Sequence, residues 1–304
     1  MKDIYPALWT AFYLLKDHMD LHRPRGLSRR ISQMGSAQRL YWRWMQAIYA
    51  GPRVKIAGGE KLTVLLQSYQ RPWNMDRQVR AAARCAFVSK ILLSNNHPDV
   101  DLEKRLTCRD PRLVLVQNRV HRRAGFRWHL ARAEDVEYML SMDDDVFLFP
   151  GQIAGLFQCL IDDSEVPHGL FGTVYRGLPA VTRDERKKTE SFVTQKETEV
   201  DVLHRVYGIG RVHLKNYFKY LDRSKAYRPL SEDAVGDDIA ISFASTRRPR
   251  VHDLGPILLC PSSRWSPIAL HQEKAFFEKR REILMECMHL QPRDPPCPLK
   301  DGQG

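Results

Sequence analysis

Long apolar runs are missing from this 304-residue chain. The longest candidate, Ile4 to Leu15, has 12 residues and contains Pro6 and Thr10. That falls short of the ~18–20 apolar residues a membrane-spanning helix needs, so a polytopic membrane protein is excluded. The chain has 6 cysteines, at positions 85, 108, 159, 260, 287 and 297, and none forms a CxxC pair. Neither a zinc ribbon nor a dense disulfide framework is therefore supported. Internal repeats are absent as well. Acidic charge is in deficit, with 36 Asp+Glu against 48 Lys+Arg, a net +12. Residues 1–60 hold ten Lys/Arg and four Asp/Glu, which is half of that excess. Such a surplus attracts polyanions of several kinds, and charge alone does not choose among nucleic acid, an anionic membrane face, an acidic polysaccharide or a nucleotide-sugar phosphate. With 43% hydrophobic and 10% aromatic residues, what remains is a globular composition long enough to bury a sizeable core.

The pattern divides the chain into a helical, basic extension over 1–60, an α/β domain over 61–292 and a tail over 293–304. In the extension, two helices joined by a basic loop through Arg23-Pro24-Arg25 and Arg29-Arg30 are expected, ending in Tyr41-Trp42-Arg43-Trp44. Lys2 ahead of the apolar run resembles a signal sequence, yet Lys16-Asp17-His18 follows where small residues would mark cleavage. The aromatic-basic stretch suits either peripheral membrane contact or packing onto the following domain. From Leu62 the chain alternates short β-runs with helices: strands at 62–66, 88–93, 113–116 and 138–142, with helices at 75–85 and around 131–136. That alternation implies a mixed, mostly parallel sheet with helices on its faces. Helices are also expected from Pro150 to Leu160, after Gly208-Ile209-Gly210 to Leu221, from Asp237 to about Ala244, and over 273–288. Residues 182–190 read as a charged, mobile loop.

In such sheets ligands bind at the carboxyl ends of the strands. There the fourth strand ends in Asp143-Asp144-Asp145. Carboxylates at alternate positions, 143 and 145, can both turn toward one hard divalent ion, Mn²⁺ or Mg²⁺, which prefers a few protein oxygens plus substrate phosphates. An acidic turn leading into the helix after Pro150 is the ordinary alternative. Asp237-Asp238 opens a helix, where acidic residues favour the macrodipole; it is also placed to join the triple Asp as a catalytic carboxylate. Gln67-Ser68-Tyr69-Gln70-Arg71 follows the first strand, where a polar loop can meet a base and Arg71 a phosphate. Asn95-Asn96 holds the equivalent place after the second strand, suited to a uracil edge or to an Asx turn.

Taken together, these pieces resemble the glycosyltransferase domain of the exostosin family, metal-dependent GT-A enzymes that build heparan-type glycans. The resemblance covers roughly 61–290. It is carried by Gln-Ser-Tyr-Gln-Arg at 67–71, Asn95-Asn96, Arg127 placed 16 residues before the triple Asp, the triple Asp itself, Gly208-Ile209-Gly210, and Asp237-Asp238-Ile239-Ala240-x-x-Phe243. It implies that Gln67, Arg71, Asn95 and Arg127 surround the nucleotide of a UDP-sugar. Asp143 and Asp144 would face ribose and sugar, and Asp145, with Asp143, would hold Mn²⁺ (or Mg²⁺). Asp238, with Asp237 beside it, matches the carboxylate close to the anomeric carbon. The implied activity is retaining transfer of an N-acetylhexosamine from UDP to a glycan or glycoconjugate acceptor, in a membrane-associated Golgi or ER setting, with no specific nucleic-acid partner. Three departures stand out: Gly236 where the family has Cys, His271-Gln272 where it has His-Arg, and Arg122 where it has Asn. His271 remains a candidate phosphate or metal neighbour, and Lys274 or Arg264 a substitute for the missing arginine. Two other functions compete with the transferase. One is a catalytically degenerate polyanion- or glycan-binding module; the other, a two-metal phosphoryl-transfer site, lacks the Glu or His ligands that complete such a pair.

Overall fold

The computed structural model describes residues 27–69, 71–134, 136–177, 183–228, 230, 235–260 and 276–293. The apolar run at 4–15, Gln70, Arg264, His271, Lys274 and the tail after 293 lie outside the described residues. In chain order the elements are α1 (Leu27–Tyr49), β1 (Leu62–Ser68), α2 (Pro72–Ala83), β2 (Val88–Asn95), β3 (Leu113–Gln117), α3 (Phe126–Arg132), β4 (Tyr138–Met142), β5 (Val146–Phe147), α4 (Pro150–Asp162), β6 (His168–Gly169) and β7 (Phe171–Tyr175). They continue as α5 (Arg183–Thr189), β8 (Glu190–Thr194), β9 (Thr198–Glu199), β10 (Val202–Leu203), β11 (Val206–Gly210), α6 (Arg211–Arg223), α7 (Asp237–Ser242), β12 (Arg250–Val251), β13 (Leu258–Leu259) and α8 (Phe276–Leu290). The chain is thus α/β with a mixed sheet preceded by a helix. No helix among the described residues is long and apolar enough to cross a membrane.

Two compact units divide the chain. The first comprises Met1–Arg122, Leu140–Gln158 and Gly255–Lys274. Its strands run in the order β3-β2-β1-β4, and the β1–β2 and β2–β3 pairs are parallel. Every residue of β1 is buried, as a parallel strand covered on both faces requires. Pro72 opens α2, where a missing N–H costs nothing, and the helix buries Met75, Val79 and Ala82. Arg112 clamps the turn between α2 and β2: Nη1 donates to the carbonyls of Cys85 and Val88, and Nη2 to that of Ala83. The aromatic-basic stretch of α1 packs onto this unit. Trp44 is fully buried, lies 4.8 Å from the Phe147 ring and donates its indole N–H to the Leu148 carbonyl at 2.9 Å, while Trp42 faces solvent.

The second unit comprises Arg123–Met139, Cys159–Leu254 and Ala275–Gly304. Its strands run β11-β6-β12-β9, with β6–β12 parallel and the other two pairs antiparallel; β10-β7-β8 forms a separate antiparallel sheet. α7 and α8 pack together around Gly236. This glycine has φ +88, and a Cβ there would sit 2.8 Å from Ile283 Cδ1. Any side chain, cysteine included, is therefore sterically and conformationally disfavoured at this position.

Four expectations need correction. Arg29-Arg30 belongs to α1 rather than to a loop. The helix expected around 131–136 is Phe126–Arg132, because Arg127, Trp128 and Ala131 form one buried face that starts earlier. The described part of the supposed loop at 182–190 is α5 followed by the first residue of β8; Arg, Glu and Lys are good helix formers, and Arg186 pairs with Glu190 at 2.6 Å. Gln67 and Asn95 are the penultimate residue of β1 and the last residue of β2 rather than loop residues. Cys85, Cys108, Cys159, Cys260 and Cys287 are free thiols.

Candidate functional site

In the first unit, β4 delivers the triple Asp into a tight turn before β5, closed by Val146 N–H donating to the Asp143 carbonyl. The backbone of that turn is pinned at every residue. Gln78 Nε2 donates to the Asp143 carbonyl at 2.8 Å, Asn74 Nδ2 to that of Asp144 at 2.7 Å, and the Cys260 N–H to that of Asp145 at 2.7 Å. Donors from α2 and from the residue after β13 thereby fix where the three carboxylates stand, and such supporting contacts make a site rigid before any ligand arrives.

Arg71, at the start of α2, donates Nη1 to Asp144 Oδ1 at 2.6 Å, with both side chains buried. Burial opposes the guanidinium charge, but Asp144 and Asp145 outweigh it and push Arg71 above its ordinary value. The Tyr69 N–H also donates to Asp144 Oδ2, at 3.4 Å. Asp145 is different: it is buried, and its Oδ1 has no hydrogen-bond partner. A buried carboxylate oxygen without a donor is costly, and a hard cation is the usual way to satisfy it.

Gln67 and Asn95 stand at neighbouring strand ends, Gln67 paired with Ser94 and Ser68 with Asn95. Both are buried. Asn95 makes the Asx turn foreseen as one of its two readings: its Oδ1 accepts the His97 N–H at 3.3 Å, while Nδ2 donates to the Val100 carbonyl.

The second unit holds Arg127, Asp237 and Asp238. Asp238 is the centre of a buried ion-pair network. Arg280 from α8 grips it with both terminal nitrogens, at 2.7 and 2.8 Å, and His204 Nδ1 meets Oδ2 at 3.0 Å. His204 is held in turn through Nε2 by the Thr173 hydroxyl at 2.8 Å. Burial pushes Asp238 toward its neutral form, but Arg280 and His204 prevail and hold the carboxyl far below the ordinary range. Asp237 goes the other way. Burial raises it, only partly offset by Arg127, whose Nε stands 3.5 Å from Oδ2, and that oxygen has no hydrogen-bond partner. Arg127 is buried over the Trp128 and Tyr207 rings, at 5.7 and 5.3 Å. The two adjacent aspartates thus have opposite environments, a charged clamp for one and a desolvated slot for the other, which is how paired carboxylates acquire different roles.

Of the residues singled out from sequence, Arg71 and the triple Asp come together in the first unit, and Arg127, Asp237 and Asp238 in the second. His204 and Arg280 were not foreseen; they lie 34 and 42 residues from Asp238, and no local motif marks them. A third group was also missed: the ligand atoms of His97, Asp99 and His121, in the first unit, lie within 4.8 Å of one another.

No family model matches the chain, and no curated protein matches it. Among solved structures, CMP:2-keto-3-deoxy-manno-octonic acid synthetase complexed with CTP is 13% identical, with TM-score 0.37, covering 53% of this chain and 78% of its own. The 4-diphosphocytidyl-2C-methyl-D-erythritol synthase of Anaerococcus prevotii is also 13% identical, with TM-score 0.40, covering 60% of this chain and 81% of its own. A structure of GalNAc-T7 with UDP, GalNAc and Mn²⁺ is 10% identical, with TM-score 0.45, covering 65% of this chain and 43% of its own.

Proposed function

We propose that the chain is a GT-A-type, metal-dependent retaining glycosyltransferase that moves a sugar, an N-acetylhexosamine by the exostosin resemblance, from UDP to a glycan or glycoconjugate acceptor. The observation that carries this reading is the Asp145 Oδ1, buried and partnerless beside the Arg71–Asp144 ion pair in a turn whose backbone is already pinned. Oxygen donors in that setting fit Mn²⁺ or Mg²⁺, which Asp145 and Asp143 would hold and which would supply positive charge toward a departing diphosphate.

The remaining roles belong to this chain's own groups. Arg71 orients Asp144 through their ion pair, so that Asp144 can accept hydrogen bonds from ribose or sugar hydroxyls, while its guanidinium offers positive charge to a phosphate. Gln67 and Asn95, at adjacent strand ends, shape the place assigned to the base. In the acidic pair, Asp238 is kept charged by Arg280 and His204, and we assign it, with Asp237, to stabilising positive charge at the anomeric carbon. Arg127, matched to the nucleotide by the resemblance, compensates Asp237. His271 is retained as a candidate phosphate neighbour on resemblance alone. Exposed Trp42 and Tyr49 on α1 support peripheral membrane contact through the basic extension. The test is Mn²⁺-dependent binding of UDP by the wild-type chain and by Asp145→Ala. Binding of acidic glycan in place of UDP, unaffected by Asp145→Ala, would instead favour a degenerate transferase acting as a polyanion-binding module.

A further inference from the structure

We infer that His97, Asp99 and His121 form a second metal site, for an imidazole-preferring divalent ion of the Zn²⁺ type. The inference is independent of the transferase reading and uses none of its residues as ligands.

The site is built by backbone. Beyond β2, residues 97–100 form a turn closed by the Val100 N–H donating to the His97 carbonyl at 3.2 Å. Pro98 occupies the second position, where its fixed φ favours such turns. Asn95 braces the turn from beneath, accepting from the His97 N–H and donating to the Val100 carbonyl. His97 and Asp99 are thus held two residues apart on one rigid loop. The segment after β3 is tied to the same place. The Asn118 N–H donates to the Asn95 carbonyl at 3.2 Å, Asn118 Nδ2 to the same oxygen at 2.8 Å, and the Arg122 N–H to the Asn96 carbonyl at 3.1 Å. Those bonds bring the His121 ring to 4.7 Å from that of His97, at an interplanar angle of 74°, with the Tyr69 ring 6.1 Å from each.

Chemistry points to a ligand. His97 Nδ1 is buried and has no hydrogen-bond partner; Asp99 Oδ2 is 3.9 Å away, too far for a hydrogen bond. Two imidazole nitrogens and one carboxylate oxygen within 4.8 Å of one another make a three-ligand set. Donors around a tetrahedral ion at ~2.1 Å stand about 3.4 Å apart, so modest closure is needed. Asp99, whose side chain is 82% exposed, is free to supply it. Imidazole ligands favour Zn²⁺ and its neighbours over Mn²⁺ or Mg²⁺, and three protein ligands leave a position open to water or to an anionic group. Proximity of the two histidines is not explained by their mutual packing, because a buried ring nitrogen without a donor or acceptor is unfavourable.

The experiment is calorimetric titration of the chelator-stripped full chain with Zn²⁺, paired with Co²⁺ loading read by its visible absorption. The wild-type chain is expected to bind one Zn²⁺, with Co²⁺ giving the intense bands of a low-coordinate imidazole site. His121→Ala and His97→Gln should each weaken binding at least tenfold and remove the bands. Asp145→Ala should keep both, which separates this site from the triple Asp. Unchanged thermal unfolding of His121→Ala, an exposed position, would exclude misfolding as the cause of loss. Absence of a saturable site in the wild type, or an affinity and spectrum unaltered in both histidine variants, would overturn the inference.

Discussion

Acidification should destabilise this protein through His168 by a calculable amount. His168 is buried in the second unit, with Nε2 at 2.7 Å from the Asp163 carbonyl and Nδ1 at 2.8 Å from His252 Nε2. Because a carbonyl only accepts, Nε2 carries the hydrogen and Nδ1 is left to accept from His252, whose own Nδ1 faces the Glu197 carboxylate at 2.8 Å, so that the proton shared by the pair rests on His252. A second proton on His168 would break that bond inside a desolvated site. Burial accordingly pushes the group down from 6.5 to about 4. The unfolded chain takes up the proton near 6.5 and the folded chain does not, so the contribution is complete above 6.5 and shrinks as pH falls toward 4. Between pH 7.5 and pH 5 the difference amounts to about 2 kcal/mol. His204 and His213 are lowered by burial too and act in the same direction, whereas Asp237, raised by burial, acts in the opposite one. The diagnostic is therefore the comparison with His168→Gln, whose amide can still donate to the Asp163 carbonyl. Urea unfolding at pH 7.5 and pH 5 should show a pH-dependent loss about 2 kcal/mol smaller in the variant. An equal loss in both proteins would refute the assignment of a neutral, desolvated His168.

Two further perturbations probe the first unit. Arg71→Ala would strand the buried Asp144 carboxylate and should cost about 3–5 kcal/mol in urea unfolding, much of it recovered by adding Asp144→Leu; a loss below about 1 kcal/mol would mean the pair is not buried as described. Trp44→Phe removes the indole donor from the Leu148 carbonyl and leaves a small void, an expected loss of about 1–3 kcal/mol; unchanged stability would indicate that α1 does not dock through this residue.

Legibility from sequence followed locality. β4 is legible at both ends, Tyr138 and Met142, because a buried apolar strand meeting three carboxylates is a sharp change of pattern. β1 and β2 are legible in their apolar parts but not at their ends, since Gln67, Ser68, Ser94 and Asn95 are polar yet remain in the ladder, buried at the strand ends. The charged stretch Arg183–Thr189 misled in the opposite sense: polarity suggested a loop, whereas helix propensity and the Arg186–Glu190 pair decide its form. Short strands such as β6, β9, β10 and β12, two residues each, leave no periodicity to detect. Within the site, residues supplied by local motifs were found, and those supplied by distant chain were not. His204 and Arg280 control the charge of Asp238 without any sequence mark, and His121 meets His97 only because Asn95 and Asn118 tie two strand ends together.

In the proposed function, the triple Asp binds a nucleotide diphosphate through a divalent ion. Isothermal titration of the full chain with UDP, with and without Mn²⁺, repeated on Asp145→Ala, tests it most directly. Saturable UDP binding is expected with Mn²⁺, weakened at least tenfold without it and in the variant, whose thermal unfolding, measured alongside, shows that the fold is kept. UDP binding of equal strength with and without Mn²⁺, or no binding under any condition, would contradict it.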